Sequence, residues 1–553
     1  MTTTATVGAP VPQFFRAMAG LALVTLALSF SGPVAAQPAA YWGIDFPTAI
    51  TGPARQHFLE GVTAMHLHMF EDAEIHFRAA QELEPDFVMA YWGEAMNNHR
   101  TIWRIHRPDQ ARAVLNRLGP DPATRAARAR NPRERAYLDA VEVLFGQGTF
   151  QERQEAYADA MRRLSARYPD DVEAKAWYAL SLMRINLPEY TREQTRSLMA
   201  SLSLEVLAVN PRHPGANRYL IQSTDDPVNT DLGVIAVNNL EQLDIEAAEA
   251  LHIPSHYYIQ HGMWLETAEA NRRAFDSSMA WVEQHDWQLQ DLNDHNYGHL
   301  LRFANYGYLQ AGLGSEAQRI RQRILQDFHA SGGAAEIAAP LADTFARWII
   351  DLEQWQQAAE LADLAREHDL RHANLWTAVG LGAVRGGDLD LAREALAVLD
   401  DLAAGAATEA DIARLQIAGL VEVATGNYQP GLALLRESIQ VNQDMNSRQP
   451  VTLIGIPPRP VKPTRELLGE VLLEWGSARL ALEQFQQGLT IYRGRTNMLL
   501  GAARAAAAAG DQQTAQRYLQ QLDEAWRTAE ADHPFHPEVI QSLGSTGNLH
   551  TGD

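Results

Sequence analysis

The chain has 553 residues, of which 46% are hydrophobic and 21% are charged, and its formal net charge is −22. This is the composition of a folded globular protein, and it lacks the excess of lysine and arginine with which proteins bind nucleic acids or anionic membranes. Cysteine is absent, which excludes disulfide bonds, thiolate metal sites, cysteine nucleophiles and a lipidated N-terminal cysteine. Any metal site must therefore use histidine, aspartate or glutamate.

The N-terminal segment has the three regions of a secretory signal peptide. Arg16 precedes an apolar run over residues 17–30, and the small residues Val34, Ala35 and Ala36 follow. Because the run is shorter than the ~20 residues that a membrane-spanning helix needs, we favour a signal peptide over an N-terminal membrane anchor. We expect cleavage near Ala36 and a periplasmic or secreted protein with no transmembrane helix after cleavage.

A repeat of about 34 residues is the main signal in the rest of the chain. Beginning at Ala54, small and aromatic residues recur where the two helices of a tetratricopeptide repeat cross, and a proline ends the second helix. These residues are Gly61, Ala73, Phe77, Ala80 and Pro85. Weaker copies contain Trp376, Gly380, Gly387, Ala392, Gly419, Gly426, Gly469, Gly476, Ala481, Phe485, Gly510 and Ala515. The sequence therefore predicts an all-α fold, in which tetratricopeptide-type helix-turn-helix repeats form a right-handed α-solenoid.

We predict three segments along the chain. Residues 1–36 form the signal peptide, and residues 37–330 form an N-terminal, divergent tetratricopeptide solenoid with histidines on its inner face. Residues 331–553 form the C-terminal tetratricopeptide repeats. Between about residues 104 and 245 several prolines indicate longer connections, and we expect helix pairs there too.

Histidines of the N-terminal half fall at the repeat positions that line the concave groove, where solenoids bind their ligands. In a helix these positions are three or four residues apart and share one face. The histidines are His66, His99, His252, His256 and His299. Arg218, Gln222, Asp225 and Asp226 fall on the same predicted lining. Imidazoles with a carboxylate and no thiolate suit zinc, copper or iron, so a transition-metal site with an open position is one hypothesis.

Each of these histidines also has a plainer interpretation, as a core residue satisfied by a hydrogen bond. Pro254 can begin a helix between His252 and His256 and so remove their assumed spacing of one helical turn. His66 and His68 are two residues apart and cannot face the same way on a helix. The sequence also lacks HExxH, a GxSxG elbow, a Walker loop and a dinucleotide-binding fingerprint. Known catalytic motifs therefore give no support to an enzymatic function.

Five stretches of the sequence carry a family resemblance. They are residues 66–73, AYWGEAM over 90–96 followed by Asn98 and His99, LHIPSH over 251–256, residues 299–310 and ELLG over 466–469. They look like bacterial tetratricopeptide proteins related to tetratricopeptide repeat protein 38, over about residues 54–515. The resemblance implies an all-helical solenoid with a histidine-bearing N-terminal half, and it implies no particular reaction.

At three positions this chain lacks a histidine that the family pattern contains. Relatives tend to read LHYLIHAYDDP where residues 217–227 read NRYLIQSTDDP, so Arg218 and Gln222 stand in place of two histidines. Arg465 stands where a histidine is expected before ELLG. If the family groove binds a metal, this member has lost ligands or binds something else. Arg218 is instead suited to clamp a carboxylate or phosphate group.

Three functions are compatible with these features. The leading hypothesis is a non-enzymatic binding or scaffold protein, whose partner is a protein, a peptide or a small anionic molecule held in the concave groove. The rival is a metal-dependent enzyme, hydrolytic or oxidative, in which the five histidines are ligands or general bases and Asp225 or Glu94 assists. The third is a structural assembly factor, whose imidazoles would point into helix interfaces and would not converge.

Overall fold

The computed structural model describes residues 42–243, 245–289, 292, 294–404, 408–448 and 456–547. The predicted signal peptide lies outside the described residues. The described part consists almost wholly of helices, so the predicted all-α fold is confirmed. In this part of the chain every helix is too short or too polar to span a bilayer.

The helices follow one another through short connections, and neighbours along the chain pack together. The first group is α1 (Pro53–His66), α2 (Phe70–Leu83), α3 (Val88–Met96), α4 (Pro108–Leu118), α5 (Pro122–Ala127), α6 (Pro132–Leu144), α7 (Phe150–Arg167), α8 (Val172–Ser181), α9 (Arg192–Val209), α10 (Pro214–Ser223) and α11 (Val234–Glu241). The middle group is α12 (Ala248–His252), α13 (Ser255–Gln260), α14 (Trp264–Gln284), α15 (Gly298–Gln310), α16 (Gly314–Ala330), α17 (Ala335–Asp351), α18 (Ala358–Glu367) and α19 (Ala373–Gly386). The last group is α20 (Leu389–Leu402), α21 (Glu409–Ala424), α22 (Tyr428–Arg448), α23 (Thr464–Glu474), α24 (Ala478–Leu489), α25 (Thr496–Ala508), α26 (Gln512–Ala525) and α27 (His536–Gly547). Short 3₁₀ helices cover Thr230–Gly233, Asp294–Asn296 and Trp355–Gln357.

Glycines at the helix crossings allow the close approach that the repeat pattern predicted. Phe77 of α2 lies between Gly61 of α1 and Gly93 of α3. A Cβ atom on Gly61 would come within 2.7 Å of the Phe77 ring, and one on Gly93 within 2.3 Å. The same arrangement recurs in the C-terminal repeats, with Phe485, Gly469 and Gly501. The paired crossings confirm a tetratricopeptide-type α-solenoid.

A two-stranded antiparallel hairpin follows α3, where the repeat register had placed His99 on a helix. Strand β1 (His99–Arg100) pairs with β2 (Ile105–His106), and His99 lies opposite His106. The helix ends at Met96 because the next two side chains bond to main-chain carbonyls, Asn97 to Phe70 and Asn98 to Glu94. The expected helical position of His99 is therefore wrong.

The apolar core is divided along the chain. One cluster of buried side chains extends from Trp42 to Tyr258, and another extends from Ala274 to Val539. The C-terminal repeats also contact the middle of the chain, since Arg495 Nη2 lies 2.5 Å from an Asp351 carboxylate oxygen. Helices α12 to α15 span the change from one core to the other, and they carry the histidines described next.

Candidate metal centre

Three histidines converge where α12, α13 and α15 meet. Nε2 of His252 lies 3.1 Å from Nε2 of His256 and 3.2 Å from Nε2 of His299. His252 and His256 are buried, and His299 is half-buried in the first turn of α15. We call these three residues the central histidine cluster. Pro254 does separate α12 from α13, as the sequence suggested, yet the two rings on either side of it still meet.

Hydrogen bonds to the Nδ1 atoms of His252 and His256 determine the tautomers of these two rings. Asn271 of α14 donates its amide N–H to the Thr267 carbonyl, so its Oδ1 atom faces His252 Nδ1 as an acceptor at 2.6 Å. A carboxylate oxygen of Asp225 accepts from His256 Nδ1 at 2.9 Å. Both rings therefore carry a proton on Nδ1, and Nε2 of each neutral ring presents a lone pair.

Two lone pairs that face each other at 3.1 Å repel unless a positive charge lies between them. The single lone pair of His252 can accept only one hydrogen bond, although two ring nitrogens approach it. A metal ion bound ~2.0–2.1 Å from each nitrogen would hold tetrahedral ligands about 3.3 Å apart. The contacts from Asp225 and Asn271 are of the kind that orient metal-bound histidines. His252, His295 and His299 each place one ring nitrogen within 4.8 Å of the others, so these three rings match a site for zinc or a similar ion.

Burial favours the neutral, metal-binding form of His252 and His299. It lowers the pKa of His252 well below its ordinary value, and the adjacent His256 lowers that pKa further. The pKa of His299 is also lowered well below its ordinary value, first by burial and then by the adjacent His295 and His252. Metal binding requires deprotonated imidazoles, so these lowered pKa values remove the competition from protons near pH 7.

A buried chain of charged groups adjoins the central histidine cluster. His295 stacks on His299 with ring centroids 4.4 Å apart, and its Nε2 atom lies 2.5 Å from Glu249 Oε1. The other carboxylate oxygen of Glu249 accepts from Arg218 Nη1 at 2.6 Å. Within the described residues, Nε and Nη2 of Arg218 have no hydrogen-bond partner, although its side chain is only 4% exposed. A buried guanidinium with unpaired N–H groups is suited to bind an anion.

Glu249 and Asn271, which contact His295 and His252, were not predicted from the sequence. Glu249 could have been found, because it precedes His252 by three residues on the same face of α12. Asn271 had no local signal, since it is one of several polar residues within the long helix α14. His68 also adjoins the chain of charges, because Arg218 adds to the effect of burial in lowering the pKa of His68.

His66 lies in a different buried cluster, so its assignment to one lining shared with the other histidines is corrected. Nε2 of His66 lies 3.0 Å from Oε2 of Glu173, and Nε2 of His213 lies 3.0 Å from Oε1 of the same carboxylate. The Tyr219 hydroxyl lies 2.8 Å from His66 Nδ1, and His213 Nδ1 accepts from the main-chain N–H of Ala216. Burial raises the pKa of Glu173, but the two histidines outweigh burial and lower it. Every ring nitrogen has its own partner, as the plainer interpretation expected.

His99 is also separate from the central histidine cluster. Its Nδ1 atom lies 3.1 Å from Nδ1 of His106 across the hairpin, and Arg153 Nη2 lies 3.3 Å from His106 Nε2. Burial lowers the pKa of His99 to about 3, and His106 adds to this shift. The hairpin takes His99 off the helical face on which the repeat register had placed it.

The other residues that the sequence assigned to the groove are buried, and their contacts differ. Within the part of the chain that the structure describes, Oε1 of Gln222 has no hydrogen-bond partner. Asp226 pairs with Arg196 at 2.7 Å, and Glu94 accepts from Arg78 at 3.0 Å. Asp225 is thus the one predicted carboxylate that contacts the central histidine cluster, and Glu94 is held by arginine.

No protein-family model matches the chain, and no curated protein matches its sequence. Among solved structures it is similar to the Cut9–Hcn1 heterotetramer of the APC/C, with 12% identity, a TM-score of 0.32, and coverage of 89% of this chain and 96% of that chain. It is similar to a monomeric mutant of IFIT1 with Gppp-AAAA, with 11% identity, a TM-score of 0.32, and coverage of 87% and 91%. It is also similar to the TPR domain of P58(IPK), with 11% identity, a TM-score of 0.21, and coverage of 90% and 98%. The fold assignment rests on the helix crossings of this chain itself.

Proposed function

We propose that this chain is a tetratricopeptide-type binding protein of the cell envelope, with a transition-metal ion at the central histidine cluster and a small anionic ligand beside it. The observation that carries the proposal is the convergence of ring nitrogens of His252, His295 and His299 within 4.8 Å of one another, with His256 Nε2 3.1 Å from His252 Nε2. The half-buried His295 and His299 join His252 as ligands, which leaves a coordination position for the anionic ligand. A repeat solenoid is a common scaffold for such binding.

The anionic ligand is inferred from Arg218. Its Nη1 atom is engaged by Glu249, while Nε and Nη2 are unpaired within the described residues. A carboxylate or phosphate group would satisfy both N–H groups at once. A peptide carboxylate and a small phosphate-bearing molecule share this chemistry, so both belong to the proposed ligand class.

The location in the cell envelope is supported by the sequence alone. Arg16, the apolar run over residues 17–30 and the small residues before Gln37 form the signal-peptide pattern. Export to the periplasm or to the medium is therefore part of the proposal. N-terminal sequencing of the exported protein tests it, and a chain that keeps residues 1–36 and stays in the cytoplasm contradicts it.

Titration of the full, untagged and metal-stripped chain with Zn²⁺ tests the metal site. We expect the wild type to bind one tight equivalent that the double variant His252→Ala/His256→Ala loses. His299→Gln replaces a half-buried ligand and tests the same site with less disturbance of the core. His261→Ala is the matched control, because His261 is half-buried on the same segment and pairs with Asp231. Unchanged zinc binding in both cluster variants would overturn the proposal.

Metal-dependent hydrolysis is a second candidate function, and the contact between His295 and Glu249 favours it. A metal ion of this class activates water or polarises an ester or phosphoryl oxygen. Glu249 contacts His295 beside His299 and can orient its ring, and Arg218 is placed to orient an anionic substrate. We expect the zinc-loaded chain to hydrolyse a phosphate or carboxylate ester, and the metal-stripped chain to be inactive. The absence of hydrolysis by the loaded wild type would exclude this function.

A further inference from the structure

A second group of potential ligands lies at the surface, on the first helix pair. His57 and Glu60 are three residues apart on α1 and so share one face, and His76 projects from the adjacent α2. The side chains are 37%, 18% and 23% exposed, respectively. We call these residues the surface triad. It uses none of the residues of the proposed function.

The three candidate ligand atoms form a nearly equilateral triangle. Nδ1 of His57 lies 3.2 Å from Nδ1 of His76. Oε2 of Glu60 lies 3.4 Å from Nδ1 of His57 and 3.2 Å from Nδ1 of His76. Ligand atoms ~2.0–2.1 Å from a tetrahedral zinc ion are separated by about 3.3 Å. All three edges of the triangle therefore match the spacing of ligands around a single ion.

Hydrogen bonds account for this triangle less completely than a cation does. A proton joins two atoms along one edge, whereas an ion at the centre contacts all three atoms. Asp72, one turn before His76, is held by the indole N–H of Trp281 at 3.1 Å and adds negative charge nearby.

We propose that His57, Glu60 and His76 form a second binding site for a divalent transition-metal ion of the zinc class. Two imidazoles and one carboxylate form a known first shell for such ions, and they leave further positions to water or to a ligand of a partner. The ligands of this site are partly exposed, whereas His252 and His256 are buried. The surface triad therefore binds its ion more weakly and exchanges it faster than the central histidine cluster.

Calorimetric titration of the full, untagged chain with Zn²⁺ tests this site separately from the central one. We expect the wild type to show a tight class and a weaker class of sites. The double variant His57→Ala/His76→Ala loses only the weaker class, and Glu60→Gln weakens that class at least about tenfold. His252→Ala/His256→Ala loses only the tight class, so failure of one proposal is distinguishable from failure of the other.

A matched control is available in the same chain. His329 lies in α16 and His368 directly follows α18; both are at least partly exposed, and their ring centroids are 5.5 Å apart, as are those of His57 and His76. We expect His329→Ala/His368→Ala to bind zinc as the wild type does. The proposal is overturned if the triad variants keep the weaker class, or if the control pair loses it equally. Circular dichroism of each variant shows whether the helices are retained.

Discussion

His252 and His256 direct their Nε2 atoms at each other across 3.1 Å, although Pro254 ends one helix and begins another between them. The proton on each Nδ1 atom is held by a second residue, Asn271 for one ring and Asp225 for the other. The protein therefore directs the two Nε2 atoms at each other in a buried position. A cation at this position would be coordinated by both nitrogens.

Asp225 accepts a hydrogen bond from His256, so a change at Asp225 tests metal affinity without replacing a metal ligand. Asp225→Asn keeps the shape of the side chain but removes the negative charge that orients and polarises the ring. We expect the zinc affinity to fall by about 10–100-fold, as measured by competition with a fluorescent chelator. Asp231→Asn is the control, because Asp231 pairs with the half-buried His261 and is itself exposed. Equal affinities for Asp225→Asn and the wild type would contradict this role.

Arg218 should determine the binding of anions to the zinc-loaded protein. Arg218→Lys keeps a positive charge near Glu249 but loses the planar fork whose Nε and Nη2 atoms are unpaired within the described residues. We expect the affinity for inorganic phosphate to fall at least about tenfold, because one charge-assisted hydrogen bond is lost. Isothermal titration with phosphate measures this, and zinc binding should not change. Undiminished phosphate binding would remove Arg218 from the site.

Glu173 should contribute to stability and not to metal binding, because it joins His66 and His213 in a complete hydrogen-bond network. We expect Glu173→Gln to lower the free energy of unfolding by about 1–3 kcal/mol. Urea denaturation followed by tryptophan fluorescence measures this, since the Trp177 ring stacks on His66 at 4.5 Å. Glu205→Gln alters an exposed ion pair with Lys175 and should change stability by less than about 1 kcal/mol.

The hairpin histidines should make the protein less stable in acid. Burial is the main cause that lowers the pKa of His99 to about 3 and that of His106 to about 4, and Arg153 and Arg112 add to the second shift. As the pH falls from 6.5 towards 4, the unfolded chain binds protons that the folded chain does not, so stability present above pH 6.5 is lost.

The variant His99→Gln removes one of these groups. We expect its urea midpoint to fall less between pH 7 and pH 5 than the wild-type midpoint does. His329→Gln, at an exposed position, should show the wild-type pH dependence. A pH dependence in His99→Gln equal to that of the wild type would show that the hairpin does not contribute.

The crossing of α1 and α2 should not tolerate a single extra methyl group. In Gly61→Ala the new Cβ atom would lie 2.7 Å from the buried ring of Phe77, and we expect destabilisation by about 1–3 kcal/mol. Gly386→Ala is the matched control, because it lies in α19 with nothing within 4 Å of the new atom. There the better helix propensity of alanine should be neutral or stabilising. Thermal unfolding of the two variants measures the difference.

The repeat architecture was predictable from the sequence, whereas much of the candidate site was not. Gly61 and Phe77 belong to neighbouring helices, so their relationship is repeated along the chain and is visible as a pattern. The position of His99 was wrong because two asparagines end α3 early. His66 and His252 were both predicted on the inner face of the repeats. His66 is hydrogen-bonded to Glu173 and Tyr219, whereas His252 Nε2 faces the Nε2 atoms of His256 and His299.

The sequence by itself determined the type of fold and the chemistry that is available. Residue spacing specifies which face of a helix is packed, and the absence of cysteine leaves only histidine and carboxylate ligands. Only the tertiary structure decided which histidines meet, because His252 and His299 are 47 residues apart in sequence and lie on helices separated by α13 and α14. It also decided their tautomers, through Asn271 and Asp225. Helical periodicity assigns a side chain to a face, but the distance between two faces depends on how non-adjacent helices pack.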